Sequence, residues 1–303
     1  MKTNATLRAL LFCVVGFNCA GLVARDMDRL GDVDHLNMVY STTTAEGVIG
    51  FYGTALGLQR MPDITLPDEV RMIRYLGGVS ELKFIVAQGQ VATMAGEVGA
   101  ARGIRLLALL LPLPQRDGIL ERLAAGGYVV PNMTTRRTDA GVFRYSFGMT
   151  YDADGNQVEI VFLDENARPS RFAQAQFGLS VSDMTAMDDF LTWVLQYEPA
   201  VTEGQIHRYE LGRSQIKFWQ VPSDLPGWMG EPSQITGMSL VQAIVPDVME
   251  VRESVVARGG KIHTEPFALG DLATIMLVEG PDGILRGGLK KLDTRISGLA
   301  AQK

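Results

Sequence analysis

Two copies of one short pattern differ by a carboxylate. Arg74-Tyr75 followed by Ser80-Glu81-Leu82-Lys83-Phe84 recurs 134 residues later as Arg208-Tyr209 followed by Ser214-Gln215-Ile216-Lys217-Phe218. Self-similarity at one long offset marks a duplicated unit. The carboxylate of Glu81 can ligate a metal or accept a proton, and the neutral amide of Gln215 does both poorly. The pair therefore points to two related domains, of which the first keeps its chemistry. Other reactive groups are sparse. His207 and His263 have no partner at ligand spacing and read as edge or surface residues. The only cysteines, Cys13 and Cys19, lie near the N-terminus, so the rest of the chain has no thiol nucleophile and no thiolate metal site. Asp152-Ala153-Asp154-Gly155 lacks the remaining acidic positions of a calcium loop and reads as a hairpin turn. The sequence has no Gly-rich phosphate loop, nucleophile elbow or zinc-protease motif.

The elements that would carry these residues repeat four times in the order β-α-β-β-β. The first unit has a strand over His35 to Ser41, a helix from Ala45 to Leu56 ended by Gly57, and strands near Leu58 to Met61, Val70 to Leu76 and Ser80 to Ala87. The second starts at Ile104 to Leu111, has a helix near Asp117 to Ala125, and closes with a hairpin turning at Asp154-Gly155. The third starts at Phe177 to Ser182, and its helix covers Met187 to Gln196. The fourth starts at Met238 to Val245, has a helix over Val248 to Arg258, and turns its last hairpin at Pro281-Asp282-Gly283. A polar junction, Asp164 to Ala173, separates the second and third units. Pro222 to Ser233, with Trp228, reads either as a lid over a pocket or as a surface connection.

The chain has 303 residues, a length that suggests about two domains. Its formal charge of -6 argues against sequence-independent nucleic-acid binding, which needs a basic face. Lys2 and Arg8 precede an apolar run from Ala9 to Ala24, the pattern of a secretory signal. Ala20 and Ala24 are both candidate cleavage sites, and the run is shorter than the roughly 20 residues that span a bilayer. The expectation is a secreted or periplasmic protein with no stable membrane span after cleavage. An uncleaved anchor is the alternative.

Paired β-α-β-β-β units resemble the vicinal oxygen chelate superfamily, which includes glyoxalase I, bleomycin-resistance proteins and extradiol dioxygenases. The resemblance rests on His35-Leu36-Asn37-Met38-Val39 with Phe51-Tyr52 and Leu56-Gly57-Leu58. It rests also on Asp154-Gly155-Asn156-Gln157-Val158-Glu159, and on the repeat of these landmarks at Gln176 to Asp183 and Pro281-Asp282-Gly283. It implies an α+β fold of tandem domains, each with two paired units forming an open eight-stranded cup. The first domain would span residues 32–163 and the second 171–292, with a tail over 293–303.

The resemblance also implies four inward positions per cup, on the first and last strand of each unit. The first domain would place His35, Glu81 and Glu159 at three of them, with Arg105 or Leu107 at the fourth. The second would place Gln176, Gln215, Leu240 and Gly287 there, with no ionisable ligand. One His and two carboxylates could hold zinc, manganese, iron or nickel and polarise neighbouring substrate oxygens, with Glu159 shuttling a proton. The set departs from the family's pattern, with at most three ligands and a single His. An inward Arg105 would oppose a metal and instead pair with Glu159 or Glu81, or bind an anionic ligand. Two readings stand: a metal-dependent lyase, isomerase or dioxygenase acting on a small molecule, and a metal-free small-molecule binding protein with a degenerate second domain. Either suits a monomer or a homo-oligomer.

Overall fold

The computed structural model describes residues 35–292, apart from 67–68, 88–91, 94, 138–143, 164–173, 201–203, 228–234, 246, 270–272 and 284–286. The signal-like segment, Trp228 and the tail lie outside the described residues. The first unit comprises β1 (Leu36–Thr42), β2 (Gln59–Thr65), β3 (Arg71–Gly77) and β4 (Ser80–Val86). Its helix starts at Ala45–Val48 and widens into π-helix over Ile49–Ala55. Thr44 begins the helix by accepting the Gly47 N–H at 3.1 Å, and Gly57 ends it at a positive φ of 70°. A short β5 (Ala92–Thr93) precedes the second unit.

That unit has β6 (Gly103–Leu111), a helix at Arg116–Ala125, β7 (Thr134–Arg137), β8 (Arg144–Tyr151) and β9 (Gln157–Leu163). The third has β10 (Ala175–Val181), a helix at Met184–Asp189 with a π-helical continuation Phe190–Val194, β11 (His207–Leu211) and β12 (Ser214–Gln220). Its middle strand is reduced, among the described residues, to a single bridge between Pro199 and Tyr209. The fourth has β13 (Ile235–Ile244), a helix at Val248–Ala257, β14 (Lys261–Leu269), β15 (Ala273–Glu279) and β16 (Gly287–Leu292).

The units form two mixed sheets, as the fold class requires, but they do not pair in chain order. One sheet runs β14-β15-β16-β13-β1-β4-β3-β2 and joins the fourth unit to the first. The other runs β11-β12-β10-β6-β9-β8-β7 and joins the third unit to the second. Each joint is an antiparallel pair of first strands, β1 with β13 and β6 with β10. The expected cups, built within residues 32–163 and within 171–292, are thus replaced by an outer cup from the first and fourth units and an inner cup from the second and third. Every unit presents the free edge of its first strand, and the local patterns make one such edge as acceptable a partner as another.

The two copies of the repeat meet at the centre. Ser80 Oγ and Ser214 Oγ hydrogen-bond each other at 2.9 Å, so residues 134 apart in sequence touch as they would across a two-fold axis. One face of each sheet packs with the helices into a shared core. Tyr40, Tyr52 and Phe84 cluster with ring centroids 4.5–6.1 Å apart, Tyr40 stacked on Phe84 and Tyr52 tilted against both. Tyr209, Leu211, Ile216 and Phe218 of the third unit join the same core. The Asp-Gly turns tie each half together. Asp154 accepts from Thr42 Oγ1 at 2.5 Å and Thr43 Oγ1 at 2.9 Å. Asp282 accepts from Ser182 N–H at 2.7 Å and Oγ at 2.6 Å.

Candidate functional site

Alternate residues of a strand face opposite sides of its sheet. In the 2–3 sheet, Leu107, Leu109, Val158, Ile160, Phe177, Ile216 and Phe218 belong to the shared core. Their neighbours Ala108, Glu159, Gln176 and Gln215 therefore face the other side, into the inner cup. These four lie level across four adjacent strands: Ala108 opposes Glu159 on β9 and Gln176 on β10, and Gln176 opposes Gln215 on β12. Each of the three polar side chains is at most 3% exposed. Glu159 Oε1, Gln176 Oε1 and Gln215 Oε1 are all buried without a hydrogen-bond partner. One step along β12, Lys217 is 1% exposed and sets its Nζ 2.7 Å from Glu159 Oε2. The floor of the inner cup is thus a buried Lys–Glu pair beside three unsatisfied acceptor oxygens.

The outer cup carries the same design with its acceptor oxygens partnered, although the Nδ2 of Asn37 is buried without a partner. Its level row is Glu81, Asn37, Gln242 and Gly288: Asn37 opposes Gln242 on β13, and Gln242 opposes Gly288 on β16. Asn37 Oδ1 accepts the Glu81 N–H at 2.7 Å. Lys83, the counterpart of Lys217, donates to Gln242 Oε1 and stands 3.5 Å from Glu81 Oε2. Arg74 closes the set with a 2.7 Å ion pair to Glu81 Oε1. Both oxygens of Glu81 thus face cations.

Several groups shape the inner cup. Arg105 is the extra residue at a bulge between Ile104 and Leu106, is 4% exposed, and has its guanidinium pushed down to about 10 by burial. Its Nη2 donates to the carbonyls of Gly96 and Glu97 at 3.4 and 3.3 Å. That holds the segment Ala95 to Arg102 over one end of the cup. Val98 of the same segment donates its N–H to Gln157 Oε1 at 3.1 Å, and its carbonyl accepts from Ser180 Oγ at 2.5 Å. Trp219, on the cup side of β12, lies across Gly178 of β10. A Cβ at Gly178 would meet the Trp219 ring at 2.8 Å and Leu106 Cβ at 2.8 Å. Gly178→Ala is expected to lower stability by about 1–3 kcal/mol through overpacking, read as a lower urea midpoint. An unchanged midpoint would show that Trp219 is not held there.

No family profile matches the sequence, and no curated protein does. Solved structures do. A glutamate-to-glutamine variant of glyoxalase I from Zea mays superposes with a TM-score of 0.62 at 16% identity, covering 88% of this chain and 97% of that one. A candidate dioxygenase from Bacillus subtilis subsp. subtilis str. 168 gives 0.62 at 14% identity, covering 87% and 86%. The cppA protein of Streptococcus pneumoniae TIGR4 gives 0.51 at 10% identity, covering 86% and 99%. The chain has the vicinal oxygen chelate fold.

Within that fold the expected ligand trio is not brought together. His35 and Glu81 belong to the outer half, and Glu159 belongs to the inner cup. Among the described residues, no three His, Cys, Asp or Glu side chains are grouped to hold a metal ion. His35 precedes β1 and is only half-buried, and the residue level with Gln176 in the other copy is Asn37. The inward residues of β13 and β16 on the row are Gln242 and Gly288, rather than Leu240 and Gly287. In β6 the row residue is Ala108, while Leu107 points into the core and Arg105 braces the covering segment. Arg105 is not the partner of Glu159 or Glu81: Lys217 and Arg74 fill those roles. From β9 to β12 the inner row offers one carboxylate, already paired with a cation, and amides, with Glu210 of β11 opposite Gln215 at its far end; the outer row likewise has one carboxylate, paired with Arg74 and Lys83. A divalent metal does not fit this donor set.

Lys217 and Trp219 are the site residues that sequence reasoning passed over. The signal was present. Lys83 and Lys217 are the same residue in both copies of the repeat, and strand alternation puts Lys217 and Trp219 on the face of Gln215. Of the two weaker histidines, His207 is not isolated: its Nδ1 lies 2.6 Å from Asp188 on the helix side of the sheet. His263 Nδ1 contacts Thr264 Oγ1 at 2.9 Å.

Proposed function

We propose that the inner cup binds a small molecule that presents hydroxyl or amine donors beside a carbonyl or oxyanion oxygen, and that it does so without a divalent metal. The observation that carries this reading is the row of buried, unpaired acceptors at Glu159, Gln176 and Gln215 beside the Lys217 ammonium. Buried acceptors without partners are costly, and a site that tolerates three of them is set up for a donor-bearing guest. Such a cup suits isomerase or lyase chemistry on neighbouring oxygens. Glu159 is the group to move a proton, and Lys217 the group to stabilise negative charge on a substrate oxygen. Pure ligand binding is the second reading, favoured by the Glu159–Lys217 pair, which already engages the base.

Dihydroxyacetone and glyceraldehyde separate the two. Binding should raise the melting temperature of the wild-type chain and leave that of Gln176→Leu/Gln215→Leu unchanged. Turnover should exchange the hydrogen next to the carbonyl with solvent deuterium by NMR, and Glu159→Gln should stop it. Binding without exchange supports the second reading. If neither compound, nor a wider panel of hydroxy carbonyl compounds, shifts the melting temperature, the proposed site is wrong.

We also propose export directed by the apolar run Ala9 to Ala24. The mass of the chain recovered outside the cytoplasm should correspond to a start after Ala20 or Ala24. Recovery of the full-length mass alone would contradict this. Among the described residues no helix is long and apolar enough to cross a membrane.

A further inference from the structure

Resting on the inner cup as the working site, we propose that Arg105 binds an anion at its covered end, and that the guest is a hydroxy carbonyl compound with a carboxylate or phosphate at its far end, as in sugar acids and sugar phosphates. Arg105 is 4% exposed. Of its five guanidinium N–H donors, the two on Nη2 go to the carbonyls of Gly96 and Glu97 at 3.4 and 3.3 Å, both longer than an ordinary N–H to oxygen bond. Its Nε is buried without a partner, and its Nη1 donates to no group among the described residues. No carboxylate opposes the guanidinium there either, and burial alone pushes it down to about 10. At neutral pH it is still a cation, and a buried cation without a counter-charge is costly.

Two other arginines have their carboxylates. Arg102, at the far end of the same covering segment, donates to Asp282 Oδ1 at 2.5 Å, and Arg74 pairs with Glu81 at 2.7 Å. On the cup face Glu159 is taken by Lys217. Arg208 and Glu210 of β11, level with Lys217 and Gln215, are one of each sign and lie beyond β10 and β12 from β6. Glu97 meets Arg105 only through its carbonyl, and its own side chain is exposed. The counter-charge of Arg105 is thus left to a guest. Next to Arg105 stands an apolar wall: Leu106 and the Trp219 ring both come within 2.8 Å of the place a Cβ would take on Gly178. Arg105 is three residues along β6 from Ala108 of the acceptor row, about 10 Å by strand rise. A guest that meets both is several carbons long, with its anionic end apart from its hydroxy carbonyl end.

The experiment measures the affinity of the full-length chain for three hydroxy ketones on one skeleton: fructose, fructuronate and fructose 6-phosphate. Constant ionic strength keeps screening from mimicking the effect. Wild type should bind at least one of the two anions about 10- to 100-fold more tightly than fructose, the size of a hydrogen bond to a charged group. Which anion gains more tells a carboxylate guest from a phosphate one. Arg105→Gln should erase the gain and leave the affinity for fructose unchanged, and Arg105→Lys should keep part of the gain. Without a guest, Arg105→Gln should melt no lower than wild type, since it removes a buried charge. Equal affinities for all three compounds in wild type would overturn the proposal. So would a gain that survives Arg105→Gln, or an Arg105→Gln chain that does not fold. Fructose bound with no gain for either anion removes the anion site and leaves the acceptor row standing. A gain lost in Arg105→Gln but kept in Gln176→Leu/Gln215→Leu does the reverse, and binding of none of the three removes both.

Discussion

Glu159→Leu should destabilise the folded protein by about 3–5 kcal/mol, the cost found when one partner of a buried ion pair is removed and the other charge is stranded. Lys217 is 1% exposed and Glu159 0%. Glu159 is the only charge partner seen for the Lys217 ammonium among the described residues. Its loss leaves that ammonium in a low-dielectric site with no counter-charge. The double variant Glu159→Leu/Lys217→Met removes both charges at similar volume and should recover most of the loss, or exceed wild type. Urea unfolding of the four chains of this cycle reads the coupling directly. The corresponding Glu81→Leu should cost less, since Glu81 lies nearer the surface, at 13% side-chain exposure, in a wider charge network. Equal and small losses at both positions would mean that the inner pair is hydrated, and the closed-cup picture would fail.

Stability should also fall as pH rises from about 4 to about 6, because of Asp152. Burial pushes this carboxyl up to about 6, against the pull of its hydrogen bonds. Those bonds are the N–H of Asn156 at 2.8 Å, its side-chain Nδ2 at 3.0 and 3.1 Å, the N–H of Asp154 at 3.0 Å and the hydroxyl of Tyr52 at 2.9 Å. An unfolded aspartate titrates near 3.9. Between the two values the folded chain holds a proton that the unfolded chain has released, so proton binding favours folding there. The contribution is present in full below about 4 and is lost as pH climbs through about 6, amounting to about 3 kcal/mol. Other groups slope the opposite way: Asp63 and Asp282 are held below their usual range, with hydrogen bonds and charges from Arg60 and Arg71, and from Ser182 and Arg102, outweighing burial. The difference between wild type and Asp152→Asn isolates the one group. Parallel pH profiles for the two chains, from urea midpoints at pH 4, 5, 6 and 7, would rule this out.

The local elements were legible because each has a local cause. The helices start at Thr44, Asp183 and Asp247, whose side chains accept the first free N–H groups, and the third begins at Met184, three residues before the expected Met187. The closing hairpins followed from Asp154-Gly155 and Asp282-Gly283, where Gly155 and Gly283 take φ values of 82° and 67° that glycine adopts without strain. The π-helical continuations after Val48 and Asp189 were not legible, since no residue type in these short runs marks an i→i+5 hydrogen bond over an i→i+4 one. The repeat itself was legible, but that its two copies touch, with Ser80 and Ser214 Oγ atoms 2.9 Å apart, came only from the fold.

The site was legible only in part. Glu159, Gln176 and Gln215 were each recognised as inward residues, but Glu159 was grouped with His35 and Glu81, and the two glutamines were read as what remains of a lost site. In the folded chain the carboxylate and the amides share one row, and Gln215 is a neighbour of the chemistry in Glu159. The strand offset had also put His35 level with Gln176, where Asn37 stands. Alternation fixes which residues share a face, but not which strand lies next in the sheet or at what register.

The sequence by itself determined the fourfold repeat of strand and helix units and their Asp-Gly turns. These depend on residues close in the chain, where spacing and side-chain chemistry act directly. Only the tertiary structure decided that the first unit pairs with the fourth and the second with the third, through β1 with β13 and β6 with β10. That choice turns on packing and edge hydrogen bonds between segments far apart in the chain, and similar units offer similar edges. It put Glu159 beside Lys217 instead of beside Glu81, and so set a buried ammonium where a metal had been expected.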